Sequence, residues 1–194
     1  MPEMYKQIHK IIGTKDYVNF RLTGRIATDP SYASGMGIYD LEAWDYSDEL
    51  LKQVGIPREI FPEIIPSTGV VGTITQEAAD QLGLTTKVQV VSGGVDNSCM
   101  ALGARAFKEG RVYNSLGSSS WIAISSQKPL LDTKSRPYVF THVVPGYFAS
   151  ALCIGSGGTS FRWIKDQLAR DLLERAEKEQ VAFMIAQVLG CKRE

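Results

Sequence analysis

Residues 87–97 read Lys-Val-Gln-Val-Val-Ser-Gly-Gly-Val-Asp-Asn. The run of β-formers over 87–91 predicts a buried strand, Gly93-Gly94 ends it, and Asn97 to Ala106 continues as a helical pattern. A strand that turns on two glycines into a helix commits this part of the chain to a layered α/β arrangement. It also sets one carboxylate, Asp96, at the carboxyl end of the strand, where open α/β sheets bind ligands. Glycine lets a ligand approach the backbone because no Cβ intrudes, and the helix start adds amide donors and a positive dipole end. Two readings of Asp96 compete. It can take a proton from a substrate hydroxyl, or it can simply cap the helix, a role in which Asp is a leading choice. The local pattern alone favours the cap.

Around this turn the periodicity predicts a helix on the Tyr5, Ile8, Ile11, Ile12 face, stopped by Gly13. Further helices are expected over Asp16–Leu22 (ending at Gly24) and Ser47–Val54. Another follows Thr75 as N-cap and ends at Gly83. Residues 25–45 read as turn-rich loop, and Pro57, Pro62 and Pro66 interrupt regular structure. Val70–Thr75 reads as a short strand. From about residue 110 the pattern changes to hairpins. Residues 111–125 form two strands around a Gly-Ser turn, and 136–144 and 146–155 form two more around Pro145-Gly146. A helix opens on Gly157-Gly158, and Asp171–Leu189 is helical by composition. That change of character marks the expected domain boundary.

Composition excludes several classes. The 194 residues carry 21 basic and 21 acidic side chains and no basic stripe, so duplex nucleic acid is an unexpected partner. No apolar run approaches the roughly 20 residues that span a bilayer, and the first residues lack a signal-peptide core. Cys99, Cys153 and Cys191 are odd in number, far apart and without metal spacing, which points to a reduced, cytoplasmic protein with no predicted metal ligand.

Two other glycine turns draw attention. Ser115-Leu-Gly-Ser-Ser-Ser-Trp121 puts Gly117, Ser118 and Ser119 between two strands, where amides and hydroxyls can grip a phosphate. Serine and glycine are equally at home in a solvent-facing hairpin. Gly155-Ser-Gly-Gly-Thr-Ser-Phe-Arg-Trp163 opens a helix on Gly157 and Gly158, suited to a phosphate or equally to tight helix packing. Neither nucleotide fingerprint, Gly-x-Gly-x-x-Gly or the loop ending Gly-Lys-Ser/Thr, occurs. The two histidines, His9 and His142, have no Ser or Cys partner arrangement, so no triad is assigned.

The order of Asp16–Ser34, Gly69–Leu84, Val88–Ala104, Ser115–Trp121 and Gly155–Asp166 resembles the FGGY carbohydrate kinases, closest to xylulokinase-like members, over nearly all of residues 5–170. That resemblance implies an α/β, actin-like ATPase (ribonuclease-H-like) fold in parts of two domains, with mixed sheets and flanking helices. Residues 1–107 would be the C-terminal part of the N-terminal sugar-binding domain, and 108–194 the beginning of the C-terminal nucleotide-binding domain. It implies ATP-dependent phosphorylation of a sugar or polyol hydroxyl, with Mg2+. By resemblance Asp96 is the catalytic base, which reverses the local preference for a cap. Gly94 and Asn97 lie beside it at the sugar, and Gly117, Ser118, Ser119, Gly157, Gly158 and Arg162 lie at the nucleotide phosphates. Ser118 stands where the family has Thr, which keeps the hydroxyl. The family's early Asp-Gly-Thr turn and its adenosine loop are not in this sequence, so the chain is expected to be a fragment and a poor kinase alone. An inactive sugar- or nucleotide-binding module is the alternative. An actin-like assembly protein would need no carboxylate at Gly-Gly-Val-Asp-Asn. Glycerol, gluconate and ribulose users remain open, and exposed half-domain surfaces make a homo-oligomer possible.

Overall fold

A computed structural model describes residues 2–178. In chain order its elements are α1 (Pro2–Tyr5), α2 (Thr14–Thr23), β1 (Ala27–Thr28), α3 (Pro30–Ala33), β2 (Tyr39–Asp40), β3 (Asp45–Tyr46), α4 (Asp48–Val54), β4 (Glu63–Ile64) and β5 (Val70–Thr73). There follow α5 (Gln76–Leu82), β6 (Gln89–Val91), α6 (Asp96–Gly103), β7 (Val112–Leu116), β8 (Ser120–Ser126), β9 (Tyr138–Thr141), β10 (Phe148–Ile154), α7 (Gly157–Leu168) and α8 (Arg170–Lys178). The continuation of α8 expected to Leu189 lies outside the described residues. Contacts divide the chain into two compact units, residues 1–113 with 123–152, and residues 114–122 with 153 onward.

In the first unit the helix boundaries follow their capping chemistry. Ser47 Oγ accepts the Leu50 N–H (3.3 Å) to start α4, and Thr75 Oγ1 accepts the Ala78 N–H (3.2 Å) to start α5. Gly24, Gly55 and Gly83 end α2, α4 and α5 in the left-handed conformation. The pairing is mixed: β1 runs parallel to β4, while β2/β3 and β5/β6 are antiparallel pairs. A four-stranded sheet has the order β7-β8-β10-β9, with Phe148 opposite Thr141 and Ala151 opposite Tyr138. Ala33, Ile38, Tyr46, Leu51 and Phe61 form one core cluster. Ile74, Ala78 and Ala79 form another, against Leu22 and Val90.

Two expectations fail here. The helix predicted on the Tyr5, Ile8, Ile11 face stops at Tyr5. Those side chains are 37–43% exposed, so the apolar stripe has no wall to bury against. Instead the segment turns after Tyr5, and the Ile11 N–H donates to the Ile60 carbonyl (2.8 Å) rather than to a helical partner. The strand before Gly93-Gly94 is also not buried. Among the described residues β6 pairs only with β5, and Val91 is 50% exposed.

His142, after β9, is 2% exposed. Its Nδ1 accepts the Val144 N–H (2.9 Å), and Nε2 has no hydrogen bond of normal geometry. Burial holds its pKa below the ordinary imidazole value, and the Ala106 backbone opposes this only in part. The unfolded chain therefore takes up a proton near pH 6.5 that the folded chain refuses, so this residue's stabilisation is present above that pH and is lost as pH falls. The expected result is a urea midpoint that drops between pH 7.5 and 5.5. His142→Asn, whose Oδ1 stands where Nδ1 accepts from Val144, should flatten that drop. An equal drop in both proteins would remove His142 from the account.

The second unit comprises the outer ends of β7, β8 and β10 together with α7, α8 and the chain beyond. α7 starts hard against the Gly117–Ser120 turn. The Gly158 N–H donates to the Gly117 carbonyl (2.9 Å) and the Thr159 N–H to the Ser118 carbonyl (3.2 Å). A Cβ on Gly158 would lie 1.9 Å from the Gly117 oxygen, and one on Gly157 would lie 2.5 Å from Ser120 Cβ. Both glycines are thus demanded by close packing.

Candidate active site

Asp96 opens α6 but is not its cap. Val95 occupies the N-cap position, and no side chain caps the helix there. The carboxylate is exposed, and Oδ1 accepts the N–H of Asn97 (2.7 Å). It lines a cleft of about 700 Å³ within the first unit, shared with Lys15, Tyr32, Met36, Gly94 and Cys99. A carboxylate at the first turn of a helix is favourably placed by the helix dipole.

The two glycines before it are required for different reasons. Gly93 has φ +75°, which side chains seldom adopt. Gly94 has an ordinary φ but no room, since a Cβ there would meet Val143 Cγ1 at 2.1 Å and Ser31 Oγ at 3.1 Å. The protein's own packing, as well as the open cleft, demands the bare backbone. Asn97 is not among the residues lining this cleft, and its carbonyl accepts from the Tyr113 hydroxyl (2.9 Å).

Among the described residues, Lys15 carries the only cationic side chain on the cleft wall. It is occupied: Nζ donates to Asp16 Oδ1 (2.7 Å) and to the Ser92 carbonyl (2.9 Å), and lies 3.2 Å from Asp29 Oδ1. Asp16 and Asp29 are fully buried. Two of the three ammonium protons are used in these hydrogen bonds, and the contact to Asp29 is an ion pair without a hydrogen bond to Oδ1. Burial pushes the Cys99 thiol up, and the charges of Asp29 and Asp96 push the same way, which disfavours its thiolate.

In the second unit a concavity of about 400 Å³ is lined by Leu116, Gly117, Ser118, Gly158, Phe161, Arg162 and Lys165. Gly117, Ser118, Gly158 and Arg162 therefore come together. Ser119 and Gly157 do not line it. The Ser119 carbonyl accepts the Gly117 N–H (2.9 Å) and closes the turn, while Gly157 packs on Ser120. Phe161 and Lys165 escaped the sequence reading although 158, 161, 162 and 165 share one face at helical spacing. Lys165 is paired with Asp166 (3.1 Å). Lys15, Asp29 and Ser31 escaped it too. The Asp29-Pro30 pair is a helix-start signal, but their partners lie up to 77 residues away. Among the described residues no group of three His, Cys, Asp or Glu side chains could hold a metal ion, so the residues present do not by themselves make a magnesium site.

Residues 1–103 match the model of the N-terminal domain of the FGGY family of carbohydrate kinases. The xylulose kinase of Lactococcus lactis is 34% identical over 171 residues, covering 88% of this chain and 34% of that protein. Among solved structures, the xylulose kinase from Rhodospirillum rubrum superposes with a TM-score of 0.81 at 30% identity, over 92% of this chain and 36% of that one. The gluconate kinase from Lactobacillus acidophilus gives 0.82 at 27% identity, over 91% and 37%. This chain thus spans about a third of the length of the relatives it matches. The fold is the actin-like, ribonuclease-H-type ATPase class, present as mixed α/β parts. The chain belongs to the FGGY family of carbohydrate kinases.

Proposed function

We propose that this chain carries the proton-accepting and part of the nucleotide-binding machinery of an ATP-dependent, xylulokinase-like carbohydrate kinase acting in the cytoplasm. The observation that carries the reading is Asp96: an exposed carboxylate at a helix start, on the wall of a 700 Å³ cleft, next to a backbone stripped to glycine. Residues 1–107 form the end of the sugar-binding domain and 108–194 the start of the nucleotide-binding domain. Asp96 accepts the proton of the attacking sugar hydroxyl, and Gly94 and Asn97 shape its turn. Phosphoryl transfer asks chiefly for positioning and charge stabilisation, and a base that removes this one proton as the oxygen attacks phosphorus completes it. Gly117 and Ser118, with Ser119 closing their turn, and Gly158 and Arg162, with Gly157 fixing the helix approach, serve the phosphates of ATP. No step is assigned to Mg2+, for which the described residues offer no cluster.

The test is phosphotransfer from ATP to xylulose, ribulose, gluconate and glycerol by the full chain, with calorimetry of each sugar and of ATP on the same sample. Slow turnover of one pentose or polyol is the expected result, since the chain spans about a third of the length of its relatives. Binding without turnover would make the chain a binding module. Neither binding nor turnover would sink the reading.

A further inference from the structure

The segment that carries Asp96 is held by a buried hub. Ser92, Gly93 and Val95 are three of the four residues before it, and each is tied to Asp29 through a single intermediary. The Ser92 carbonyl accepts from Lys15 Nζ (2.9 Å), whose charge also lies 3.2 Å from Asp29 Oδ1. The Gly93 N–H donates to the Ser67 carbonyl (2.9 Å), and the Ser67 hydroxyl donates to Asp29 Oδ2 (2.8 Å). The Val95 N–H donates to Ser31 Oγ (2.9 Å), and that hydroxyl gives its own proton to Asp29 Oδ2.

The direction of the last link is set by valence. A serine hydroxyl has one proton. The Asp29 carboxylate, paired with Lys15, accepts that proton, so a lone pair of Ser31 is left facing the Val95 amide. Val95 is the N-cap residue of α6, one position before Asp96. Asp29 and Ser31 are fully inaccessible to solvent, and Ser92 is 1% exposed, so water does not substitute for these links. Gly94 cannot slide to compensate, because Val143 and Ser31 already fill the space beside its Cα.

The geometry points to Asp29, acting through Ser31, as a positioning residue that sets where the Asp96 carboxylate sits in the cleft. This rests on the reading of Asp96 as the base. Asp29 does not itself line the cleft, although Lys15, 3.2 Å from its Oδ1, does. Through Ser31 its effect reaches the chemistry by the backbone of the turn. Displacing a reacting group by about 1 Å can cost on the order of 100-fold in rate.

Ser31→Ala in the full chain tests the link with little loss of volume. The Val95 amide should exchange with solvent faster by on the order of tenfold, the worth of one hydrogen bond. kcat should fall by about 10- to 100-fold with KM for ATP unchanged. In an Asp96→Asn background the same change should cost no further rate, since it acts through Asp96. Asp29→Asn, which sets its N–H2 against either the two hydroxyl donors at Oδ2 or the Lys15 ammonium at Oδ1, should behave alike. Native exchange at Val95 in Ser31→Ala overturns the positioning role whether or not the chain turns over. So does a kcat loss of equal size with and without Asp96. If Asp96→Asn alone leaves kcat intact, the assignment of the base falls instead, and the Val95 amide still decides whether Ser31 holds the turn.

Discussion

Asp96→Asn should lower kcat for sugar phosphorylation by about 10²–10⁴-fold, equivalent to roughly 3–5 kcal/mol of transition-state stabilisation, with KM for the sugar little changed. The replacement is close to isosteric, and its side-chain oxygen can still accept the Asn97 N–H that Asp96 Oδ1 accepts at 2.7 Å. The turn also owes its shape to residues other than this side chain, namely Gly93 at φ +75° and Gly94 against Val143. Loss of rate without loss of fold is therefore the signature, checked by steady-state kinetics alongside a thermal melt. A rate within a few-fold of native would show that no carboxylate is needed there.

Lys15→Met carries the largest expected effect on stability. Lys15 Nζ stands 2.7 Å from Asp16 Oδ1 and 3.2 Å from Asp29 Oδ1, and both carboxylates are fully buried. Lys15 itself is 18% exposed, so solvent screens the cluster little. Methionine keeps much of the stem's packing and removes the charge, which leaves two buried acids without their cation. Breaking a buried pair in this way costs about 3–5 kcal/mol. For a chain of this size that is a fall in Tm of roughly 6–20 °C. Adding Asp16→Asn to Lys15→Met should recover part of the loss, because one uncompensated charge is removed. A Lys15→Met protein that melts with the native one would mean the two acids find other partners.

Much of the fold was legible because the signals are local. Ser47, Thr75, Gly24, Gly55 and Gly83 begin and end helices through bonds spanning three or four residues, and the structure places the boundaries within a residue or two. The hairpin character after residue 110 followed from alternation and Pro-Gly punctuation, and β7 to β10 stand where that pattern set them. The helix beyond Tyr5 was misread because periodicity announces an apolar face without saying whether anything exists to cover it. The valines of 87–91 predict a buried strand, although among the described residues β6 has one neighbour and leaves Val91 half exposed.

At the site, the residue types and the turns that carry them were visible in one dimension: Asp96 after two glycines, Gly117-Ser118, and Gly158 with Arg162. Which of them share a concavity was not. Ser119 and Gly157 sit beside the right residues in sequence yet spend themselves on closing a turn and on packing.

The chain's own order of residues therefore determined where a strand yields to a helix and which acid stands at that junction, since both depend on neighbours a few bonds away. Only the tertiary structure decided that Lys15, Asp29, Ser31 and Ser67 converge behind that junction. Their hydrogen bonds span up to 77 residues and form only once water is excluded and no other partner is within reach.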